Sequence, residues 1–81
     1  MSKAEQYDFE PLRLGSTGAI VLMVQKTFNS IGYELESNGI FDKHMDEVVR
    51  SFQEQRAILP LDGVVGVETM LELDRLFLLP H

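Results

Sequence analysis

Apolar side chains return at helical spacing once the chain passes its first fifteen or so residues. Val21, Val24, Phe28 and Ile31 fall three or four positions apart, so a 3.6-residue turn puts them on one face. The pattern predicts a first helix over 17–31. Ser16 is its expected N-cap, because a serine hydroxyl can accept an orphan N–H of the first turn. Gly32 follows where a helix stop wants positive φ. A second series, Val48, Val49, Phe52 and Arg56, predicts a second helix that ends near Ala57, before Pro60. Asp42 is its expected cap, and Asp46 and Glu47 suit the positive end of its dipole. Thr69, Leu73 and Leu76 predict a third helix, after which Pro80 closes the chain. Residues 1–11 are polar and acidic apart from Tyr7 and Phe9, and read as a tail or linker that clips two aromatics onto a domain of 12–79.

The segments that open the second and third helices repeat one another. Asn38-Gly39-Ile40-Phe41 returns as Asp62-Gly63-Val64-Val65, and at the same offset Val49 matches Leu73 and Phe52 matches Leu76. Asn-Gly is also a hairpin signal. A hairpin fails here because the residues after the turn are helix-periodic. The expected fold is all-α, a compact three-helix bundle with two repeated Asn/Asp-Gly turn-helix units. Its core should hold Val21, Phe28, Phe41, Val49, Phe52 and Leu73.

One stretch breaks the amphipathic pattern. Ala19-Ile20-Val21-Leu22-Met23-Val24 is apolar all round, where a surface helix should alternate. Two readings stand: a wider core covered by the tail, or an exposed patch of Ile20, Leu22 and Met23 that docks a second copy or a domain of a parent protein.

Composition narrows the chemistry. Eighty-one residues with 44% apolar content make one small domain. There is no cysteine, hence no disulfide framework, thiol nucleophile or thiolate metal site. Seven Lys+Arg against thirteen Asp+Glu give a net charge of −6, which opposes nucleic acid, including a helix-turn-helix reading, and anionic lipid alike. No run suits membrane insertion, and the start has no apolar segment of a signal peptide. His44 lies among Asp42, Asp46 and Glu47, but with His81 the only other histidine a zinc site is not expected. Glu68 and Glu72 share a helix face, yet so small a domain cannot build the cleft in which a glycosidase sets two carboxylates about a sugar. No phosphate loop, nucleophile elbow or zincin motif occurs. The chain reads as a non-enzyme without metal or cofactor.

The ordered series Leu12, Gly15, Gly18, Val21, Val24-Gln25, Ile31-Gly32-Tyr33, Asn38-Gly39-Ile40-Phe41, Val48-Val49, Phe52-Gln53, Asp62-Gly63-Val64-Val65-Gly66 and Thr69 resembles the peptidoglycan-binding domain family, a small helical module often attached to cell-wall hydrolases. Phe41-Asp42 together with Val65-Gly66 and Thr69 is similar to the periplasmic end of secretion-pathway ATPases. The sequence departs from the family pattern at Asp42 and Ala57, where glycine is usual, and at Met45, where threonine is. The resemblance implies a non-catalytic module that anchors a parent protein or complex to peptidoglycan, in the periplasm or outside the cell. Such a polymer of N-acetylated sugars and carboxylate-bearing peptides asks for hydrogen-bonding groups and a cation, which makes Ser37, Asn38, His44, Arg50 and Gln53 the candidate ligand contacts. The alternative is a degenerate module of the same fold used for protein–protein interaction or self-association. The fold also resembles the pro-domain of matrix metalloproteases, whose cysteine-based inhibition this chain lacks the residue to perform.

Overall fold

Asp42 starts the second helix as its sequence position predicts: Oδ1 accepts the Met45 N–H at 2.9 Å, which satisfies one orphan donor of the first turn. In the computed structural model, which describes residues 10–78, three helices follow one another: α1 (Ala19–Ser30), α2 (Lys43–Gln55) and α3 (Val67–Leu78). The Tyr7/Phe9 tail, Pro80, His81 and the expected domain end at residue 79 lie outside the described residues.

Ser16 does not cap α1. Its hydroxyl instead accepts the Arg13 N–H at 3.0 Å, and the N-cap is Gly18, with no side-chain hydrogen bond. The reason is a partner distant in sequence. Phe41 N–H donates to the Ser16 carbonyl, Gly15 N–H to Phe41 and Gly18 N–H to Gly39, each at 2.9 Å. That pairing keeps the chain extended through Gly18, so the helix starts at Ala19. Further upstream Leu12 and Val65 exchange both backbone bonds, at 3.1 and 2.7 Å. The segment before α1, which turns at Leu14-Gly15 with Ser16 N–H donating to the Arg13 carbonyl at 2.8 Å, is therefore stitched to both turns, by isolated bridges rather than strands.

The apolar faces converge as the spacing requires. Val21, Val24 and Phe28 of α1, Met45, Val49 and Phe52 of α2, and Leu73 of α3 are buried together with Phe41 and Val65. All six expected core residues are among them. Phe28, Phe52 and Tyr33 meet edge to face, with centroids 5.3 to 6.1 Å apart, the arrangement ring quadrupoles favour.

Charge ties the last two helices. Glu72 on α3 accepts from Arg56, just past α2, at 2.7 Å and from Arg75 at 2.8 and 3.0 Å. The Arg75 hydrogen bond, with help from Arg56, holds the Glu72 carboxyl at about 2, well below its ordinary 4.5.

Candidate functional site

Two buried glutamines shape the surface on which a ligand could rest. Gln25 on α1 accepts the Asn38 and Gly39 N–H groups at Oε1, at 3.0 and 2.8 Å, and donates from Nε2 to the Ile40 carbonyl at 2.9 Å. Gln53 on α2 does the same for the second turn. It accepts Gly63 N–H at 3.0 Å and donates to the Val64 carbonyl at 3.0 Å. The turn residues close the pattern, Asn38 Oδ1 accepting Ile40 N–H and Asp62 Oδ1 accepting Val64 N–H, at 3.0 and 2.9 Å. Each turn is thus an Asx turn clamped from beneath by an amide of the preceding helix. The two differ in that Gln25 Oε1 accepts two turn N–H groups and Gln53 Oε1 accepts one, and in that Gln53 also donates to the Thr69 hydroxyl at 3.2 Å, whereas Gln25 meets the Met45 thioether at 3.6 Å. Met45 in the threonine position is accommodated because sulfur is a weak acceptor.

Gly63 shows how closely the second turn is packed. Its φ is +74°, and a Cβ there would collide with the Asp46 carboxylate and lie 3.0 Å from Arg50 Nε. Arg50 and Asp46 form a 3.1 Å ion pair over the turn, and Arg50 also donates to the Leu61 carbonyl at 3.3 Å.

The five candidate contacts therefore divide. Ser37 and Asn38 sit exposed on the first turn, Ser37 accepting a 3.2 Å bond from Asn29. His44 is exposed nearby and donates from Nε2 to the Glu34 carbonyl at 3.1 Å. Arg50 is exposed at the second turn. Gln53 is a correction: it is 1% exposed and its amide is spent on the turn, so it supports the surface from below.

The suggested patch on α1 also divides. Ile20 and Met23 are exposed on the flank towards α3, whereas Leu22 is half-buried and its Cβ lies beside Gly39. Ile20 and Leu22 are two positions apart, about 200° around the helix, so they cannot share one surface.

Beside the second turn lies a groove of about 280 Å³, bounded by Ile58, Leu59, Pro60, Asp62, Val64, Glu68 and Thr69, with Gln53 at its floor. Apolar walls and two carboxylates face one space, a combination that can seat methyl groups and accept N–H or O–H bonds. Sequence reasoning nominated none of its surface residues. The signal was present in Ile58-Leu59-Pro60-Leu61, an apolar run that belongs to no helix. Among the described residues no three or more His, Asp or Glu side chains gather as metal ligands.

The family model described as "Putative peptidoglycan binding domain" matches residues 17–73, which takes in α1, α2, both turns, the groove and the first half of α3. The chain belongs to this family. Solved structures agree. The fused zinc-dependent amidase/peptidase/peptidoglycan-binding-domain protein of Clostridium acetobutylicum is similar at 35% identity and a TM-score of 0.76, over 80% of this chain and 29% of that one. The endolysin of Burkholderia phage AP3 is similar at 30% and 0.75, over 82% and 25%. The SleB N-terminal domain is similar at 26% and 0.79, over 88% of this chain and 97% of that domain. No curated protein matches. The peptidoglycan-binding-domain chain thus spans 29% and 25% of the first two proteins but nearly all of the third. No described helix is long and apolar enough to cross a membrane.

Proposed function

We propose that this chain is a non-catalytic peptidoglycan-binding module that anchors a parent protein or complex to the cell wall, and that the groove beside the Asp62-Gly63 turn receives the polymer. The observation that carries the reading is the family match over 17–73, which spans every residue lining that groove. The chemistry is compatible. Leu59, Pro60 and Val64 offer a surface for N-acetyl or alanyl methyls, while Asp62 and Glu68 can accept from amide N–H and sugar hydroxyls. Ser37, Asn38 and His44 at the first turn, and Arg50, supply further polar contacts. A module of this kind works where the polymer is, in the periplasm or outside the cell. The groove falls at or below the usual ligand-pocket range of roughly 300–1,000 Å³, so affinity should be micromolar to millimolar, roughly −4 to −8 kcal/mol.

Titration of the ¹⁵N-labelled chain with soluble disaccharide-peptide fragments tests the site. Amide shifts are expected at Leu59, Gly66, Glu68 and Thr69. Leu59→Ala combined with Glu68→Ala should weaken binding at least ~5-fold, about 1 kcal/mol, and leave the melting temperature in place. Shifts confined to the Ser37–His44 region would move the site to the first turn. A second use of the same fold, self-association, has one observation behind it, the apolar face between α1 and α3.

A further inference from the structure

The outer side of α3 is apolar where a helix at the edge of a small bundle should be polar. Leu73 is buried, yet Val67, Leu71 and Leu78, on the opposite face, are all exposed, Leu71 by 48%. The charged residues Glu68, Glu72 and Arg75 are confined to one flank. On the other flank α3 and α1 enclose an apolar groove of about 410 Å³ between Met23, Met70 and Phe77, with Lys26 and Asp74 on its rim. Met23 and Phe77 are 53% and 49% exposed, and Ile20 extends the same surface along α1.

We infer that this face binds a second copy of the chain about a two-fold axis. Charge favours that occupant. The molecule as a whole carries −6, which repels a like copy over most of its surface, but among the described residues the lining of the α1/α3 groove holds one cation, Lys26, and one anion, Asp74. It is the neutral approach, and a two-fold axis makes it self-complementary, since Lys26 of each copy can meet Asp74 of the other. Size agrees as well. The exposed apolar side chains amount to on the order of 500 Å², near the upper end of what monomers leave bare, ~300–600 Å². With their polar rim they approach the ~800 Å² per partner of a standard interface. The groove between α1 and α3 shares no lining residue with the Asp62-Gly63 groove, so the two can serve separate purposes. The expected association is weak, with a Kd of roughly 10–500 μM, because little area remains after the cost of ordering two bodies.

Sedimentation equilibrium of the full chain from 5 μM to 1 mM, by order of magnitude bracketing that Kd, reads the outcome. The mass should rise from monomer towards dimer. Met23→Glu with Leu71→Lys should weaken association at least ~10-fold while helix content stays unchanged. Lys26→Asp should weaken it more than Lys43→Asp, which makes the same change in net charge, and adding Asp74→Lys to Lys26→Asp should restore it. A chain that stays monomeric throughout the range overturns the inference. So does a chain that dimerises only after residues 1–9 are removed, since the occupant would then be its own tail. Association that survives Met23→Glu with Leu71→Lys also overturns it.

Discussion

Ala57 stands at φ +57°, in the left-handed region that costs an L-residue with a Cβ roughly 1–2 kcal/mol. It is the position at which the family pattern carries glycine, and it ends the turn after α2 by donating its N–H to the Glu54 carbonyl at 3.2 Å. Ala57→Gly should relieve that strain against a smaller loss of unfolded-state entropy, for a net gain of about 0.5–1 kcal/mol. A melting temperature raised by a few degrees is the expected result; a lower one would show that Ala57 is not strained. The departure at this residue was legible in the sequence because a helix stop has a fixed geometry. Gln25 and Gln53 were not legible as clamps. A glutamine on a helix ordinarily reads as a solvated side chain, and its burial is affordable only because backbone groups 13 to 15 residues away for Gln25 supply its partners. That supply depends on a fold the local pattern cannot display. Gln53 was consequently nominated as a ligand contact, whereas it props up the turn beside the groove.

Helices are the scale at which sequence and structure agree best. The apolar spacing located all three, and Asp42 caps α2 as its position before the apolar series requires. The start of α1 differs because residues 15–18 are captured by the Gly39–Phe41 backbone, a long-range pairing that overrides the capping preference of Ser16. The apolar run of α1 was legible as an anomaly, but its division into a Leu22 side and an Ile20/Met23 side needed the neighbouring turn and α3. Between α2 and α3 the Arg56–Glu72–Arg75 cluster makes a prediction with a defined sign. Glu72 is depressed to about 2 in the folded chain, so its stabilising effect is fully present above about pH 4.5, the ordinary carboxyl value, and is lost as pH falls through 2. Wild type should melt above Glu72→Gln at neutral pH, by a small margin for so exposed a cluster. The difference should shrink between pH 4.5 and pH 2. A difference that does not change with pH would contradict the assigned ion pairs.

The whole molecule rests on a small core in which Phe52 touches both Phe28 and Tyr33. Phe52→Ala should cost about 3–5 kcal/mol, a large share of the roughly 5–15 kcal/mol available to a domain, and leave the chain partly unfolded near 37 °C. A small change in the melt would remove Phe52 from the centre of the account. At this scale the fold was nearly complete in the sequence, because the turn pairs and the core stripe stand in the order of the family pattern. The proposed binding groove was not, because it is made by the Ile58–Pro60 run, the Asp62 turn and the start of α3, elements brought together only by folding. The central claim is that this surface holds cell-wall polymer. Co-sedimentation of the folded chain with purified, insoluble sacculi at low salt tests it most directly. The account predicts saturable recovery in the pellet, with half-saturation between about 1 μM and 1 mM, and reduced recovery for Leu59→Ala with Glu68→Ala. Folded chain that stays wholly in the supernatant across that range would contradict it.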